Sequence, residues 1–184
     1  MTDPLEGVDE VPVLVAGGGL VGLSTAMFLA QHGVASLAVE PLRGGSPLPR
    51  AALFHMRTQE LFRAAGIEDE IRRQSLKEFE PEGAIVMVET LAARDVVGII
   101  PSLNEGVDAL SPCRRLFITQ PGLEPILRAR AERAGARVLE GTTVVGLGAV
   151  ALAGEQHRAH FAIVTPPTVH QVDGDARAPR MPYS

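Results

Sequence analysis

VPVLVAGGGLVGLSTAMFLAQHGVASLAVE, residues 11–40, is the stretch that determines the predicted fold. It opens with a short apolar run, Val11 to Val15, which leads into the glycine-rich segment GGGLVG at residues 17–22. A helical run to Gln31, a glycine stop at Gly33 and a second apolar run ending at Glu40 follow. This order predicts a β-strand, a glycine turn, an α-helix and a second β-strand.

Each glycine of the turn has a separate physical role. Gly17 lets the chain leave the strand sharply, Gly19 has no Cβ to hold a diphosphate away, and Gly22 lets the helix pack closely on the sheet. A diphosphate would then face free backbone N–H groups and the positive end of the helix. Glu40 follows at about the spacing, roughly 20 residues, at which a carboxylate accepts hydrogen bonds from the ribose hydroxyls of a dinucleotide. The segment therefore predicts an adenine-dinucleotide site.

The glycine pattern alone is weak support, because glycine-rich turns that bind nothing are common. The flanking residues strengthen it: Ala26 and Leu29 fall on the helix face toward the sheet, and Leu37 and Val39 continue a buried strand pattern. The rival interpretation, a turn without a ligand, requires all of these features to coincide by chance.

Composition excludes several classes of function. The chain has 184 residues, a formal net charge of −5 and no run of basic residues, which argues against nucleic acid and an anionic membrane surface as partners. Cys113 is the only cysteine, so no disulfide can form within the chain, and a reducing cytoplasm is the predicted location. The histidines are spaced too irregularly to predict a metal site.

Residues 11–30 carry no charge and have the length of a membrane span. Pro12 and several glycines interrupt this stretch, and the residues before it are acidic, opposite to the basic start of a signal peptide. We therefore predict no membrane segment. Residues 1–10 are predicted to form a loose amino-terminal arm.

The rest of the chain predicts alternating helices and strands. One helix is expected from Thr58 to Ala65 with Leu61 and Phe62 facing inward, followed by a helical turn or two over residues 67–74. Residues 82–118 are β-rich, with apolar runs at 84–88 and 96–100 that predict an antiparallel excursion from the main sheet.

A further helix is predicted from Leu123 to Ala134, ending at Gly135, and a short strand from Arg137 to Leu139. The last predicted strands are 142–147 and 161–164, with a hairpin turn at 154–156. Residues 165–184 are predicted to form an irregular tail.

Three segments together resemble a known family. They are the unit from Gly17 to Glu40, the run from Pro49-Arg50-Ala51 through RTQELFRAAGI at residues 57–67, and QPGLEPIL at residues 120–127. Residues 11–164 resemble the amino-terminal FAD-binding domain of the class A FAD-dependent aromatic hydroxylases, the p-hydroxybenzoate-hydroxylase-like group that includes polyketide hydroxylases. The resemblance implies an α/β Rossmann-like FAD-binding fold with part of an inserted β-rich substrate-domain segment, incomplete relative to the family.

The resemblance also implies a cofactor, FAD, with NAD(P)H as electron donor and a small aromatic or polyketide substrate. The glycine turn would hold the FAD diphosphate, Glu40 the adenosine ribose, Arg50 would lie beside the flavin, and Gln120 would contact the ribityl and phosphate region. The implied cofactor-binding residues are Gly17, Gly18, Gly19, Leu20, Val21, Gly22, Glu40, Arg50 and Gln120. No catalytic residue is assigned.

The sequence departs from the family after residue 164. Thr165-Pro166-Pro167 stands where the family has an Ala-Asp-Gly motif, and the later Gly-Asp-Ala-Ala-His motif finds only an echo out of register by one residue at Gly174-Asp175-Ala176. The expectation is a truncated or internally deleted family member. Whether Asp175 serves a degenerate ribityl-binding motif stays open.

Three functions follow from these features. The first is an FAD-dependent, NAD(P)H-dependent aromatic-ring or polyketide hydroxylase present as a shortened chain. The second is a non-catalytic remnant that binds FAD or another adenine dinucleotide, or docks to a partner, without turnover. The third is an NAD-binding oxidoreductase, since the unit from Gly17 to Glu40 serves NAD equally well. The substrate and the oligomeric state are not determined by the sequence.

Overall fold

The computed structural model describes residues 11–45, 52–80, 84–92, 95–151 and 158–165. Its helices are Leu20–Gln31 (α1), Met56–Ala64 (α2), Glu68–Glu78 (α3) and Gln120–Arg133 (α4). Its strands are Val13–Ala16 (β1), Ser36–Glu40 (β2), Leu53–Phe54 (β3), Ile85–Met87 (β4), Gly98–Ile100 (β5), Leu116–Phe117 (β6), Arg137–Glu140 (β7), Thr143–Ala151 (β8) and Arg158–Thr165 (β9). Within these ranges no helix has both the length and the apolar composition needed to cross a bilayer.

Several predictions concern residues outside the described ranges. They are the loose arm at 1–10, Arg50, the hairpin turn at 154–156, and the tail beyond Thr165 with Asp175. These remain predictions.

The central sheet contains three parallel strands in the order β1, β2, β7. Val39 of β2 pairs with Ala16 of β1 on one side and with Leu139 of β7 on the other. Leu37 and Val39 are 6% and 1% exposed, as predicted, because β2 lies between two strands. Since the strands are parallel, the glycine turn that follows β1 and the Glu40 that ends β2 lie at the same edge of the sheet.

Helix α1 connects β1 to β2 and ends at Gln31, as the sequence predicts. Ala26 is fully buried, together with Leu23 and Met27, whereas Leu29 is only partly buried. The helix ends because Gly33 adopts a positive φ of 73°, a conformation that disfavours residues with a Cβ. The βαβ unit predicted from residues 11–40 is thus confirmed.

Helix α4 packs beside α1 and leads into β7. Its buried face carries Leu123, Leu127 and Ala131, all fully inaccessible to solvent. The helix begins at Gln120, three residues earlier than predicted, because Thr119 caps it: the Thr119 Oγ1 accepts a hydrogen bond from Gly122 N at 3.2 Å. Pro121 in the first turn is compatible with this start, since proline needs no hydrogen-bond acceptor there.

A short antiparallel ribbon of β3 and β6 precedes α4 and packs against α2. The prediction that Phe62 of α2 faces inward is confirmed: the side chain is 4% exposed, and its ring centroid lies 6.4 Å from that of Phe54. The same prediction for Leu61 is wrong, since this side chain is 38% exposed. The reason is geometric, because adjacent residues on a helix point about 100° apart and only one of the two can face the ribbon.

The β-rich segment contains the predicted antiparallel pair. Ile85 of β4 is opposite Ile100 of β5, and both strands carry apolar side chains that are largely exposed.

Helix α3 is longer than the one or two turns predicted, and Ile71 and Ser75 form its buried stripe. Strands β8 and β9 form a second antiparallel hairpin, longer at both strands than predicted.

Candidate functional site

The glycine turn between β1 and α1 is held tightly against the sheet. Gly17 has a positive φ of 112°, and its N–H donates a hydrogen bond to the carbonyl oxygen of Val39 at 2.8 Å. A Cβ added to Gly22 would lie 1.8 Å from the carbonyl oxygen of Gly17. No side chain fits at that position, so α1 begins as close to the turn as the backbone permits.

Glu40 lies at the mouth of this turn. Its Oε2 accepts a hydrogen bond from Gly18 N at 2.7 Å, and its Oε1 accepts one from Leu42 N at 2.9 Å. A Cβ on Gly18 would lie 2.6 Å from the Cβ of Glu40, so Gly18 is needed for this approach. The structure therefore brings the glycine turn and Glu40, which are about 20 residues apart in the sequence, into direct contact.

The outer side of the turn is open to a ligand. Among the described residues, a Cβ added to Gly19 would meet only the Glu124 Oε1, at 3.7 Å, an ordinary van der Waals distance. The first intrahelical hydrogen bond runs from Leu23 N to Gly19 O at 2.9 Å. The N–H groups of Leu20, Val21 and Gly22 precede it and have no acceptor within the helix. No acidic residue occupies the first turn of α1, so its positive end is available to an anion.

Gln120 is the first residue of α4 and is 8% exposed. Its Nε2 donates a hydrogen bond to the Glu124 Oε1 at 2.5 Å, one turn further along the helix. Glu124 is itself only 3% exposed. Gln120 was predicted from the sequence, whereas Glu124 was not, because an acidic residue in a polar helix is usually solvent-exposed. The signal that it is buried is its spacing of four residues from Gln120, which puts both on the same helix face.

The amino terminus of α4 is braced by α3. The Glu78 Oε2 accepts a hydrogen bond from Thr119 N at 2.7 Å, and its Oε1 accepts one from Gln74 Nε2, also at 2.7 Å. Burial raises the pKa of Glu78, but these hydrogen bonds outweigh it, so the pKa lies below its ordinary value of 4.5. Glu78 is therefore a charged cap that helps fix where Gln120 begins the helix.

An apolar groove adjoins the site. It lies between α1, α2 and α4 and is lined mainly by apolar side chains, among them Leu20, Val21, Phe54, Leu61, Phe62 and Leu127. Val21 is 82% exposed there. Another cavity, of about 290 Å³, lies beside α3, and none of the described residues predicted to bind the cofactor lines it. It is therefore separate from the glycine turn.

The backbone N–H groups, Glu40 and Gln120 are suited to binding a ligand rather than to catalysis by protein side chains. Backbone N–H groups and the positive helix end suit a diphosphate. Glu40 offers carboxylate oxygens to hydroxyl groups, and Gln120 offers an amide. None of these is a nucleophile with an adjacent base, so redox chemistry at this site requires a bound cofactor. The glycine cradle, which tolerates no Cβ at Gly18 or Gly22, fits a dinucleotide diphosphate.

Comparison with known families gives one match that covers most of the chain. Residues 10–157 match the family described as FAD binding domain. This range includes the glycine turn, Glu40 and Gln120.

Curated relatives include 4-methyl-5-nitrocatechol 5-monooxygenase from Burkholderia sp, which is 48% identical over 149 residues. That alignment covers 80% of this chain and 27% of the relative. Aklavinone 12-hydroxylase from Streptomyces purpurascens is 40% identical over 140 residues, covering 74% of this chain and 26% of the relative. The chain thus spans about a quarter of the length of the curated relatives it matches.

Solved structures agree with these relatives. A ternary complex of aklavinone-11 hydroxylase with FAD and aklavinone superposes with a TM-score of 0.66 at 33% identity, covering 88% of this chain and 32% of that one. The flavin-dependent monooxygenase PieE, in complex with FAD and substrate, gives a TM-score of 0.66 at 31% identity, covering 77% of this chain and 25% of that one. The predicted α/β Rossmann-like fold is confirmed.

Proposed function

The chain belongs to the FAD binding domain family, and from this premise we propose that it is the FAD-binding part of an NAD(P)H-dependent aromatic-ring or polyketide hydroxylase. The observation that carries the proposal is the glycine turn closed by Glu40, with Gly19 open to a ligand. The monooxygenases and hydroxylases among its relatives support the reaction class.

The cofactor would be held mainly by backbone groups. We assign the FAD diphosphate to the turn formed by Gly17, Gly18, Gly19, Leu20, Val21 and Gly22. Glu40 would accept the hydroxyls of the adenosine ribose, and Gln120 would contact the ribityl chain or the adjoining phosphate. Arg50 is predicted to lie beside the flavin.

The division of work follows from this arrangement. Bound FAD supplies electron transfer from NAD(P)H and the activation of oxygen. The chain binds the adenine half of the cofactor, orients it through Glu40 and Gln120, and anchors its negative charge at the start of α1. The substrate we propose is a small electron-rich aromatic or polyketide ring, because relatives carry such names as aklavinone 12-hydroxylase.

A titration of the purified chain with FAD tests the first step. We expect binding of about one FAD per chain, seen as a change in flavin fluorescence. NAD competition belongs in the same experiment, because a chain that takes NAD in preference to FAD would be an oxidoreductase of another kind. Failure to bind FAD would remove the proposal.

Turnover is tested separately. We expect NAD(P)H oxidation that is stimulated by members of a panel of phenols, nitrocatechols and anthraquinone-like rings. FAD bound at stoichiometric level with no NAD(P)H oxidation across the panel would instead select the alternative, a non-catalytic FAD-binding protein. The alternative is tested here because this chain matches only 27% of the length of the nitrocatechol monooxygenase.

A further inference from the structure

Glu124 is a buried carboxylate beside the proposed diphosphate position. It is 3% exposed, and its Oε1 lies 3.7 Å from the position that a Cβ on Gly19 would occupy. A negative charge this close to a diphosphate opposes cofactor binding by Coulomb repulsion. A role of Glu124 in cofactor binding must therefore outweigh this repulsion.

The carboxylate bonds within its own helix and lies close to two other segments of the site. Its Oε1 accepts the hydrogen bond from Gln120 Nε2 at 2.5 Å and faces Gly19 of the glycine turn. Its Oε2 lies 2.3 Å from where a Cβ on Gly45 would stand, in the segment that follows β2. Gly45 has a positive φ of 87°, so the chain there approaches the carboxylate with bare backbone. Glu124 thus joins α4, the turn and the segment after β2.

The chemistry of this contact fixes the orientation of the Gln120 amide. An ionised carboxylate only accepts hydrogen bonds, so the NH₂ of Gln120 must face it and the amide oxygen must point away. Without this constraint, the two ends of a glutamine amide are nearly equivalent in shape and can exchange places. Glu124 therefore holds the NH₂ group of Gln120 toward itself and leaves the amide oxygen for a ligand.

We propose that Glu124 is a positioning residue for the cofactor: it holds Gln120 so that the amide oxygen Oε1 is presented to a hydroxyl group of the ribityl chain of FAD. This inference rests on the proposed function and adds to it the reason for a buried acid at this site. Glu124 acts through Gln120 and makes no contact with the reacting atoms.

The test is a double-mutant cycle read out by the dissociation constant for FAD, measured from flavin fluorescence. In the Glu124→Gln variant the side chain keeps its size, but the new amide pairs with either end of Gln120. We expect FAD binding to weaken about 10-fold, the scale of one hydrogen bond to a charged group. In a Gln120→Ala background, the same substitution is expected not to weaken FAD binding, because only the removal of the repelling charge remains.

Glu132→Gln is the matched control, because it removes one charge from the exposed face of the same helix. It is expected to bind FAD as the wild type does. Thermal unfolding of each variant without FAD verifies that the fold is kept.

Two results would overturn the inference. One is a Glu124→Gln variant that binds FAD as tightly as the wild type or more tightly, which would mean that charge repulsion dominates. The other is equal weakening with and without Gln120, which would give Glu124 a structural role independent of the amide. If the wild type itself fails to bind FAD, the proposed function fails, and that result is distinct from either of these.

Discussion

At the scale of single residues, Gly22 shows how tightly the turn is packed. Gly22→Ala would place a Cβ 1.8 Å from the carbonyl oxygen of Gly17, so the backbone must shift. Alanine gains up to about 1 kcal/mol in helix propensity, which is smaller than the overpacking cost of about 1–3 kcal/mol. We therefore expect a net loss of stability in urea unfolding. Unchanged stability would show that the turn is looser than described.

Glu40 is a second residue whose role can be measured directly. Both of its oxygens accept backbone N–H groups, from Gly18 and Leu42. Glu40→Gln turns an NH₂ toward one of these donors, which leaves an N–H without its acceptor at a cost of about 1–3 kcal/mol. We expect lower stability in urea unfolding and weaker FAD binding. Glu132→Gln is the control, and equal behaviour of the two variants would contradict this role.

The residues of the site differ in how far they could be predicted. Glu40 and the glycines were predictable because their spacing is set by one strand, one turn and one helix. Glu124 was not, because its burial depends on Gly19 and Gly45, which come from distant parts of the chain. Its spacing from Gln120 places it on the same helix face, but its approach to Gly19 and Gly45 is tertiary and is not encoded locally.

At the scale of secondary structure, the cap between α3 and α4 predicts a pH dependence. The pKa of Glu78 is depressed below its ordinary value of 4.5 in the folded chain. Such a group adds stability above that value and loses the contribution as the pH falls through the depressed pKa. We expect Glu78→Gln to lower stability at about pH 7 and to reduce the loss of stability as the pH falls below the ordinary value of 4.5.

Urea unfolding of the wild type and Glu78→Gln at a series of pH values measures this effect. Glu80→Gln provides a control, because Glu80 is an exposed acid two residues further along the chain. If the free energy of unfolding depended on pH in the same way for the wild type and Glu78→Gln, the hydrogen bond to Thr119 would not stabilise the start of α4.

Element bounds were predictable where glycine marks an end. Gly33 and Gly135 stop α1 and α4 near the predicted positions, because both adopt a positive φ. The predicted start of α4 was wrong because the apolar pattern begins at Leu123, whereas the cap at Thr119 determines where the helix begins. The orientation of Leu61 depended on the β3–β6 ribbon, a tertiary contact that helix periodicity does not specify.

At the scale of the whole molecule, the described sheet ends with β1 on one side and β7 on the other. The β4–β5 pair and Val21 of α1 also expose apolar side chains. The relatives are about four times as long as the matched region. The described residues therefore leave apolar surface exposed in a chain that matches only part of the length of its relatives.

The most direct measurement compares the wild type with Gly19→Ala in FAD titration and in thermal unfolding without cofactor. A Cβ at residue 19 makes only an ordinary contact with the part of the chain that the structure describes, at 3.7 Å, but it occupies the side proposed for the diphosphate. We predict that the two proteins unfold at about the same temperature, that the wild type binds about one FAD, and that Gly19→Ala binds FAD at least about 10-fold more weakly. A wild type that does not bind FAD, or a Gly19→Ala variant that binds it equally well, would contradict a diphosphate site at this turn.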